Sequence, residues 1–464
     1  MAIAQTQQTQ FDEALIRRYD RAGPRYTSYP TAVQFHEGFT AADYQAAALA
    51  TNARGNPLSL YFHLPFCDTV CFYCACNKIA TKDREMVGPY LDRVYRELAL
   101  QAELFDGQRP VTQLHWGGGT PTFISHAQMR ELMRVTGEHF KLLDQDQGEY
   151  SVEIDPRETD ADTIDILREI GFNRMSLGVQ DLDPRVQEAV NRVQSEDKTF
   201  RTLEQARAAG FRSISIDLMY GLPHQSAASF AKTVDRILEV RPDRFSVFNY
   251  AHLPERFMPQ RRINPEDLPS PAEKLAILAD TTERITAAGY VYIGMDHFAH
   301  PDDELAIAQR EGTLYRNFQG YSTHSDCDLI GIGVTSVGMV GNTYSQNQKE
   351  LEAYYAELDA GRLPILRGVQ LDEDDILRRK VITELICHFR LRFAMIEQRF
   401  GIDFHDYFRD AMEELKPMAD DGLIELSDDG IAVTPAGRLL IRNICMPFDK
   451  YLRQASEQRF SKVI

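Results

Sequence analysis

The sequence lacks any long, uninterrupted hydrophobic run. None of its apolar segments approaches the ~20 residues that a membrane-spanning helix requires. The apolar stretch 329–340 is short and rich in glycine, which favours a buried strand or loop. The first ten residues are polar and lack the basic stretch and apolar core of a secretory signal. These absences predict a cytoplasmic protein that makes no membrane contact.

An excess of positive charge is also absent. The 464 residues include 51 Lys and Arg against 69 Asp and Glu, which gives a net charge of −18. Because the phosphate backbone attracts basic surfaces, this balance disfavours a large nucleic-acid interface, although a local basic pocket for a small anion remains compatible with it. The length suggests roughly two or three domains, and the composition is that of an ordinary globular protein.

Cysteine is scarce and unevenly distributed, since four of the seven residues fall within ten positions. These four are Cys67, Cys71, Cys74 and Cys76. Unpaired, clustered cysteines fit a reducing compartment better than a disulfide framework. The first three can supply thiolates from one loop to a four-iron cluster, which leaves one iron open to a ligand that is not protein. Structural zinc is the alternative, but zinc sites usually combine two close pairs, and the three remaining cysteines form no second pair.

A unit of helix, glycine and strand recurs three times in the middle of the chain. Helical segments at 161–170, at 199–209 and from Ser270 onward each end at a glycine and lead into an apolar strand. The predicted strands are 58–64, 112–116, 150–154, 174–178, 213–219, 244–249 and 291–295. Alternating helices and strands predict an α/β fold with a parallel sheet. We expect a partial (β/α) barrel with its chemistry at the carboxyl ends of the strands, and a doubly wound sheet is the competing architecture.

The pattern changes after about residue 370. Helices are predicted at 372–390, 395–400 and 406–419, followed by a hairpin with an Asp-Gly turn within 421–433 and a helix over 435–445. This arrangement resembles a winged helix, which often binds DNA, but its acidic composition favours a cap over the barrel. The predicted division is therefore an N-terminal extension near the active site (1–55), a barrel (56–369) and a helical, winged-helix-like C-terminal cap (370–464).

Polar residues and glycines follow several predicted strands. Gly117, Gly118 and Gly119 end one strand and permit a ligand to approach the backbone, although they do not form a dinucleotide fingerprint. Glu153 closes the next strand and can accept hydrogen bonds from ribose hydroxyls. Asp217 lies inside an apolar strand, where burial of its charge requires a partner or a ligand.

Several motifs together resemble the bacterial oxygen-independent coproporphyrinogen III oxidases of the radical S-adenosylmethionine (SAM) superfamily. They occupy 23–31, 67–78, 114–122, 249–254 and 294–298, and the similarity extends to 440–446. The resemblance implies a [4Fe–4S] cluster on Cys67, Cys71 and Cys74, whereas Cys76 is not expected to ligate it. It also implies two bound SAM molecules. Around the first it places Tyr61, Gly118, Glu153 and Val337. Around the second it places Tyr73, Gly119, Thr120, Gln180, Arg192, Asp217 and Ala251.

The chemistry implied by this resemblance is the conversion of two propionate side chains of coproporphyrinogen III to vinyl groups. A radical derived from SAM abstracts hydrogen, so no protein residue is assigned as catalytic with certainty. The tetracarboxylate substrate needs cationic partners. The candidates are Arg18, Arg21, Arg25, Arg261, Arg262, Arg316 and Arg442. Tyr26 and Tyr29 are candidates for guarding the pocket.

The family resemblance also predicts partners for the protein, and two other functions compete with the oxidase. The resemblance implies a reductant such as flavodoxin or ferredoxin, and a monomer is the default. A haem-binding chaperone of the same superfamily is one alternative, but such proteins generally lack the 23–31 motif and the cysteine at position 76. A metal-dependent regulator that uses the winged-helix-like tail is the other, and the acidic charge argues against it.

Overall fold

The computed structural model describes residues 9–144 and 146–454. Most of the predicted polar start therefore lies outside the described residues. The same holds for the first residues of the predicted N-terminal extension and the last residues of the predicted C-terminal cap. The α-helices are α1 (Glu13–Tyr19), α2 (Ala41–Thr51), α3 (Val87–Ala102), α4 (His126–His139), α5 (Thr163–Glu169), α6 (Pro184–Ala189), α7 (Glu196–Ala208), α8 (Ala227–Glu239), α9 (Pro271–Ala287), α10 (Glu304–Glu311), α11 (Leu351–Asp359), α12 (Glu373–His388), α13 (Phe393–Phe400), α14 (Phe404–Tyr407), α15 (Arg409–Asp420), α16 (Ile441–Cys445) and α17 (Lys450–Gln454). The strands are β1 (Leu58–Leu64), β2 (Phe66–Cys67), β3 (Ile79–Ala80), β4 (Pro110–Gly118), β5 (Lys141–Leu142), β6 (Glu149–Ile154), β7 (Arg174–Gln180), β8 (Ser213–Tyr220), β9 (Arg244–Asn249), β10 (Val291–Gly294), β11 (His297–Ala299), β12 (Tyr315–Asn317), β13 (Gly320–Ser322), β14 (Asp328–Ile332), β15 (Val337–Val340), β16 (Thr343–Asn347), β17 (Ile365–Gln370), β18 (Arg390–Arg392), β19 (Ile424–Ser427) and β20 (Gly430–Val433).

One mixed sheet of 13 strands organises the molecule. Its path is β10-β11-β9-β8-β7-β6-β4-β1-β14-β15-β16-β17, with β5 beside β4. The neighbours from β9 to β14 pair in parallel. From β1 to β9 the strand order follows the chain in one direction, without the reversal that defines a doubly wound sheet. The predicted partial barrel is therefore confirmed, and in the described parts of the chain the sheet does not close, because β10 and β17 are not paired.

The two faces of this sheet differ in polarity because side chains alternate along each strand. On β8, Ile214 and Ile216 are fully buried in the core on one face, whereas Ser215 and Asp217 line an interior cavity on the other. The interior is polar on the neighbouring strands as well, where Glu149 and Arg174 line the same cavity. The parallel strands thus enclose a polar chamber rather than the packed apolar interior of a closed eight-stranded barrel.

Glycine ends the three predicted helices of the repeated unit, as expected. Gly171, Gly210 and Gly289 follow α5, α7 and α9 and adopt φ values of 107°, 85° and 95°. These left-handed conformations favour glycine, which carries no Cβ. The strand of the third repeat differs from expectation: β10 does not pair directly with β9, because β11 lies between them and is antiparallel to both.

The C-terminal region contains helices and a three-stranded sheet, β18-β20-β19. Two details of the sequence prediction are wrong. The predicted helix over 435–445 begins only with a 3₁₀ turn at Arg438–Leu440 and becomes α16 from Ile441 onward. The hairpin turn is formed by residues 428 and 429, and Gly430 already belongs to β20. A Cβ at Gly430 would collide with the carbonyl oxygen of Leu391 on the adjacent strand, so glycine is required there for strand pairing rather than for the turn.

The N-terminal segment packs against the C-terminal region. The Gln10 N–H donates to the Pro435 carbonyl at 3.0 Å, and the Tyr26 hydroxyl donates to the Asp449 carboxylate at 3.1 Å. The apolar stretch 329–340 forms β14 and β15. In the described ranges, no helix is long and apolar enough to cross a bilayer. The division of the chain at residues 55 and 370 stays a prediction.

Candidate active site

A cavity at the carboxyl ends of β4 and β6–β9 contains most of the predicted site residues. It holds about 1100 Å³ of empty space, part of it open to solvent. The predicted residues that line it are Cys67, Cys71, Tyr73, Cys74, Gly118, Gly119, Thr120, Glu153, Gln180, Arg192 and Asp217. Parallel strands place their carboxyl ends at one edge of the sheet, which explains why residues so far apart in sequence meet here.

Cys67 ends β2, and the other three clustered cysteines lie on the loop between β2 and β3. Neighbouring segments hold this loop through its backbone. The Phe72 N–H donates to the Val190 carbonyl at 2.9 Å. The Asn191 side chain donates to the Val70 carbonyl at 2.8 Å, and the Gln260 side chain donates to the Tyr73 carbonyl at 3.1 Å. These contacts fix the course of the loop without using any cysteine sulfur.

Positive charge surrounds the cysteine sulfurs. One guanidinium nitrogen of Arg157 lies 3.3 Å from Cys71 Sγ, and one of Arg192 lies 3.6 Å from the same atom. A hydrogen bond from Cys76, together with the nearby Lys78 ammonium, lowers the pKa of Cys74 to about 6. Burial raises the pKa of Cys67 to about 11. Cationic neighbours stabilise thiolates and the anionic clusters that thiolates bind.

The donor set fits an iron–sulfur cluster. Cys67, Cys71 and Cys74 are free thiols that face one cavity. Among residues 9–144 and 146–454, no three His, Cys, Asp or Glu side chains converge as a mononuclear site would require. A [4Fe–4S] cluster does not need such convergence, because each thiolate ligates a different iron. Three thiols on one cavity wall are the donor set that such a cluster takes.

The glycine run brings the end of β4 against the cysteine loop. The Gly119 N–H donates to the Leu64 carbonyl and the Thr120 N–H to the Phe66 carbonyl, both at 2.8 Å. A Cβ at Gly119 would collide with the backbone of Pro65 and Phe66, which cannot move aside as a side chain can. Close backbone approach therefore explains this glycine, and the same contact places its backbone at the cavity wall.

Glu153 is held as a carboxylate at the centre of the site. Its side chain accepts from the Gly118 N–H at 3.2 Å and lies 3.3 Å from His115 Nε2. Burial alone would raise its pKa, but His115 and the Gly118 N–H outweigh burial, so the pKa of Glu153 lies below its ordinary value. The Tyr61 ring stacks on His115 with centroids 5.8 Å apart, which orients the imidazole. The carboxylate can accept hydrogen bonds from a cationic or hydroxyl-bearing ligand.

Arg192 and Gln180 carry buried polar atoms that the protein does not satisfy. The Arg192 guanidinium donates to Asp155 at 2.8 Å and to the Gly178 carbonyl at 2.5 Å. Within the described residues, Arg192 Nε and Gln180 Oε1 have no hydrogen-bond partner. Gln180 also adopts a φ of 68°, which is uncommon for a residue other than glycine. Unsatisfied buried groups beside a cavity indicate a bound ligand or water.

Asp217 has the partner that its position in an apolar strand requires. The Ser176 hydroxyl donates to its carboxylate at 2.7 Å. Burial nevertheless raises the pKa of Asp217 from 3.8 to about 6. The ionised carboxylate therefore destabilises the folded protein near neutral pH, although it remains available there for a ligand.

We expect Asp217→Asn to stabilise the protein in a pH-dependent manner. Because the pKa of Asp217 is raised in the folded state, its protonated carboxyl contributes fully to wild-type stability below about pH 4. This contribution is lost as the pH rises through about 6. The shift of about two units corresponds to roughly 3 kcal/mol. The apparent midpoint of thermal unfolding should therefore rise in the variant at about pH 8 and converge with wild type at about pH 4. An equal difference at both pH values would contradict this account, and the exposed Asp235→Asn serves as the control.

Three predicted residues lie outside this cavity. Tyr61 and Val337 are partly buried and pack against a smaller apolar cluster that includes Leu329. Ala251 lines a second cavity together with Arg25 and Arg442. The sequence prediction missed two residues of the site, His115 and Arg157. Alternation along β4 places His115 on the same face as Gly117, and that signal could have identified it.

The candidate substrate arginines are dispersed. Arg25 and Arg442 share the second cavity, and Arg316 is buried against the Tyr321 ring. Arg18 pairs with Asp421 at the surface, whereas Arg21, Arg261 and Arg262 are exposed. Tyr26 and Tyr29 are buried and hydrogen-bonded to Asp449 and Lys450 in the C-terminal region, so both hydroxyls are occupied by protein contacts.

The fold and the three-cysteine cavity define an enzyme class, the radical SAM superfamily, whose sequence pattern matches residues 61–237. The pattern of the HemN C-terminal domain matches residues 371–440.

The chain is 57% identical to the oxygen-independent coproporphyrinogen III oxidase of Pseudomonas aeruginosa over 98% of its own length and 99% of the relative. It is 52% identical to that of Escherichia coli K12, with 99% of each chain covered. The solved structure of the Escherichia coli coproporphyrinogen III oxidase, described as a radical SAM enzyme, superimposes with a TM-score of 0.91 over 96% of this chain and 100% of that chain, at 51% identity. The chain belongs to the oxygen-independent coproporphyrinogen III oxidase family.

Proposed function

We propose that the chain catalyses the oxidative decarboxylation of two propionate side chains of coproporphyrinogen III to vinyl groups, which yields protoporphyrinogen IX for haem biosynthesis. The observation that carries this proposal is full-length similarity to oxidases of this name, combined with a cavity lined by Cys67, Cys71 and Cys74. The enzyme is an oxidoreductase that depends on SAM and an iron–sulfur cluster.

The three thiolates would hold the [4Fe–4S] cluster, and Arg157 and Arg192 would offset its negative charge. Cluster and SAM together would supply a radical that removes hydrogen from the propionate, after which CO₂ and one electron leave. Tyr61, Gly118, Glu153 and Val337 are proposed to surround the first SAM. In this role, Glu153 accepts hydrogen bonds as a carboxylate, and Tyr61 keeps His115 in position beside it.

A second SAM is proposed beside the first. The residues assigned to it are Tyr73, Gly119, Thr120, Gln180, Arg192, Asp217 and Ala251. The unsatisfied Arg192 Nε and Gln180 Oε1 and the buried Asp217 carboxylate support a polar ligand at this place. Equilibrium dialysis of the anaerobic holoenzyme should give two SAM molecules per chain. A stoichiometry of one in wild type, unchanged in Gln180→Ala, would contradict the second site.

The remaining partners are also proposals. A flavodoxin or ferredoxin would deliver electrons to the cluster, and the protein would act as a cytoplasmic monomer. The net charge of −18 supports the absence of a nucleic-acid partner.

Anaerobic reconstitution tests the function. The protein, loaded with iron and sulfide, is incubated with a reductant, SAM and coproporphyrinogen III. We expect 5′-deoxyadenosine and a divinyl product; the absence of both with a full cluster would refute the assignment. Stoichiometric haem binding without turnover would instead favour the chaperone alternative, which the full-length similarity to oxidases disfavours.

A further inference from the structure

The end of strand β7 has an irregular backbone beside the cavity lined by the three cluster cysteines, which we call the reaction cavity. Gly178 pairs with Asp217 of β8, and Gln180 pairs with the next residue, Leu218, so Val179 forms a β-bulge between them. Gln180 lines the reaction cavity and adopts the left-handed φ of 68°. Bulges re-aim side chains next to active sites, and a left-handed residue other than glycine persists only where its surroundings hold it. The strand end therefore requires a contact that fixes it.

The buried carboxylate of Asp181, the next residue, supplies this contact. Asp181 is 1% exposed. Its side chain accepts from the Thr233 hydroxyl and from the Gln225 amide, both at 2.6 Å, and from the Asp183 N–H at 2.9 Å. Burial raises the pKa of Asp181, and these three hydrogen bonds oppose the rise. Because all three neighbours donate, the carboxylate is fixed as an acceptor, and the backbone beside Gln180 is fixed with it.

The partners of Asp181 connect it to two other parts of the cavity wall. The Gln225 amide also donates to the carbonyl of Met219, which lines the reaction cavity, at 2.9 Å. The Gln187 amide donates to the Asp181 carbonyl at 2.9 Å, and the Gln187 carbonyl accepts from the Arg192 N–H at 2.8 Å. These contacts join the end of β7 to the end of β8 and to the loop that carries Arg192. We call the buried side chains behind this wall the Asp181 network: Asp181, Gln187, Gln225 and Thr233.

The side chains of Gln180 and Arg192 lie next to each other in front of this network. A Cβ at Gly178 would lie 2.9 Å from a guanidinium nitrogen of Arg192 and 3.1 Å from the amide nitrogen of Gln180, so both side chains pass over this glycine. Arg192 Nε is a donor and Gln180 Oε1 is an acceptor, and neither has a partner among the described residues. A polar ligand that carries both a donor and an acceptor can satisfy the two atoms together. This match depends on where the backbone places Gln180.

We propose that Asp181 is a positioning residue that holds Gln180 in the left-handed conformation and thereby presents its side chain to the second SAM. The inference rests on the proposed function, because the second SAM is itself a proposal. Asp181 does not line the reaction cavity, so it acts through Gln180 and not by touching the ligand.

A double-mutant cycle of Asp181→Asn and Gln180→Gly tests this role. Asp181→Asn replaces one acceptor oxygen with an NH₂ group that faces donors, and it should weaken the second SAM about 10-fold or more. The affinity for the first SAM and the iron content should change little. Glycine at position 180 has no side chain to position and adopts the left-handed conformation freely. In the Gln180→Gly background, Asp181→Asn should therefore have little further effect. Equilibrium dialysis of the anaerobic holoenzyme gives both binding constants.

Thr233→Val is a milder variant, since it removes one of the three donors and keeps the buried carboxylate. It should weaken the second SAM about 3-fold. Thr136→Val is the matched control. Thr136 is a fully buried threonine on α4, and its hydroxyl donates to the Leu132 carbonyl of its own helix at 2.7 Å. This control should leave both SAM affinities unchanged.

The outcomes separate positioning from a general structural role. If the Asp181 network only supports the fold, Asp181→Asn should weaken the second SAM by the same factor with glutamine or glycine at position 180, and this result would overturn the inference. Unchanged affinity for the second SAM in both Asp181→Asn and Thr233→Val would overturn it as well. Wild-type protein that binds a single SAM refutes the proposed second site itself. Wild type with two sites, combined with an unaffected Asp181→Asn, refutes only the role of Asp181.

Discussion

Replacing Cys74 with alanine should abolish the visible absorbance of the reconstituted cluster and reduce vinyl product formation by about 1000-fold or more. Cys74 lines the reaction cavity with Cys67 and Cys71, and its lowered pKa makes it a thiolate at neutral pH. With two thiolates remaining, a second iron would be left without a protein ligand and the cluster would lose its anchoring. Iron content, absorbance and product formation measure the effect.

Cys76→Ala is the matched control, since it removes a thiol two residues away on the same loop. The family resemblance does not assign Cys76 to the cluster, so this variant should keep its iron and its absorbance. In the wild type, the Cys76 thiol helps to lower the pKa of Cys74. Without it, less Cys74 thiolate is present at mildly acidic pH, and metal loading should become slower there. An intact cluster in Cys74→Ala, or a lost cluster in Cys76→Ala, would contradict the proposed ligand set.

Glu153→Gln should lower activity by about 100-fold or more and weaken SAM binding. The carboxylate accepts from the Gly118 N–H and lies beside His115. The amide of glutamine carries no negative charge and has only one acceptor oxygen, so it cannot satisfy these donors and a ligand together. The measurements are the equilibrium constant for SAM binding to the loaded enzyme and the rate of 5′-deoxyadenosine formation.

Glu149→Gln provides the comparison for this variant. Glu149 lies on the same strand and the same face, four positions earlier. There it lines the interior chamber and pairs with Arg174 but does not reach the reaction cavity. We expect SAM binding to change at most a few-fold in Glu149→Gln. An equal loss of SAM binding in both variants would contradict a specific role of Glu153, because it would show that both carboxylates act only through folding.

Local patterns in the sequence predict much of the fold. Helix-ending glycines such as Gly171 and Gly210 adopt the left-handed conformation expected of them, and the strands between them pair in parallel as predicted. Alternation places Asp217 in the interior, where it meets Ser176. These features depend on residues close in sequence or on one periodic strand, which is why they can be read without a structure.

Features that depend on contacts between distant residues cannot be predicted from local sequence patterns. The insertion of β11 between β9 and β10 is decided by tertiary pairing, and Gly430 is required by the approach of Leu391 rather than by its own turn. Arg157 follows Asp155 in a pattern typical of a helix cap, and only the fold shows that its guanidinium reaches Cys71. The pairing of Arg25 with Asp296 joins residues 271 positions apart, so no local pattern could predict it.

The most direct test of the central claim follows the hydrogen atom that leaves the substrate. Coproporphyrinogen III deuterated at the propionate β-carbons is turned over anaerobically by the reconstituted enzyme with SAM and a reductant, and the 5′-deoxyadenosine is analysed by mass spectrometry. We expect deuterium in 5′-deoxyadenosine together with the divinyl product. Unlabelled 5′-deoxyadenosine, or label without vinyl formation, would contradict it.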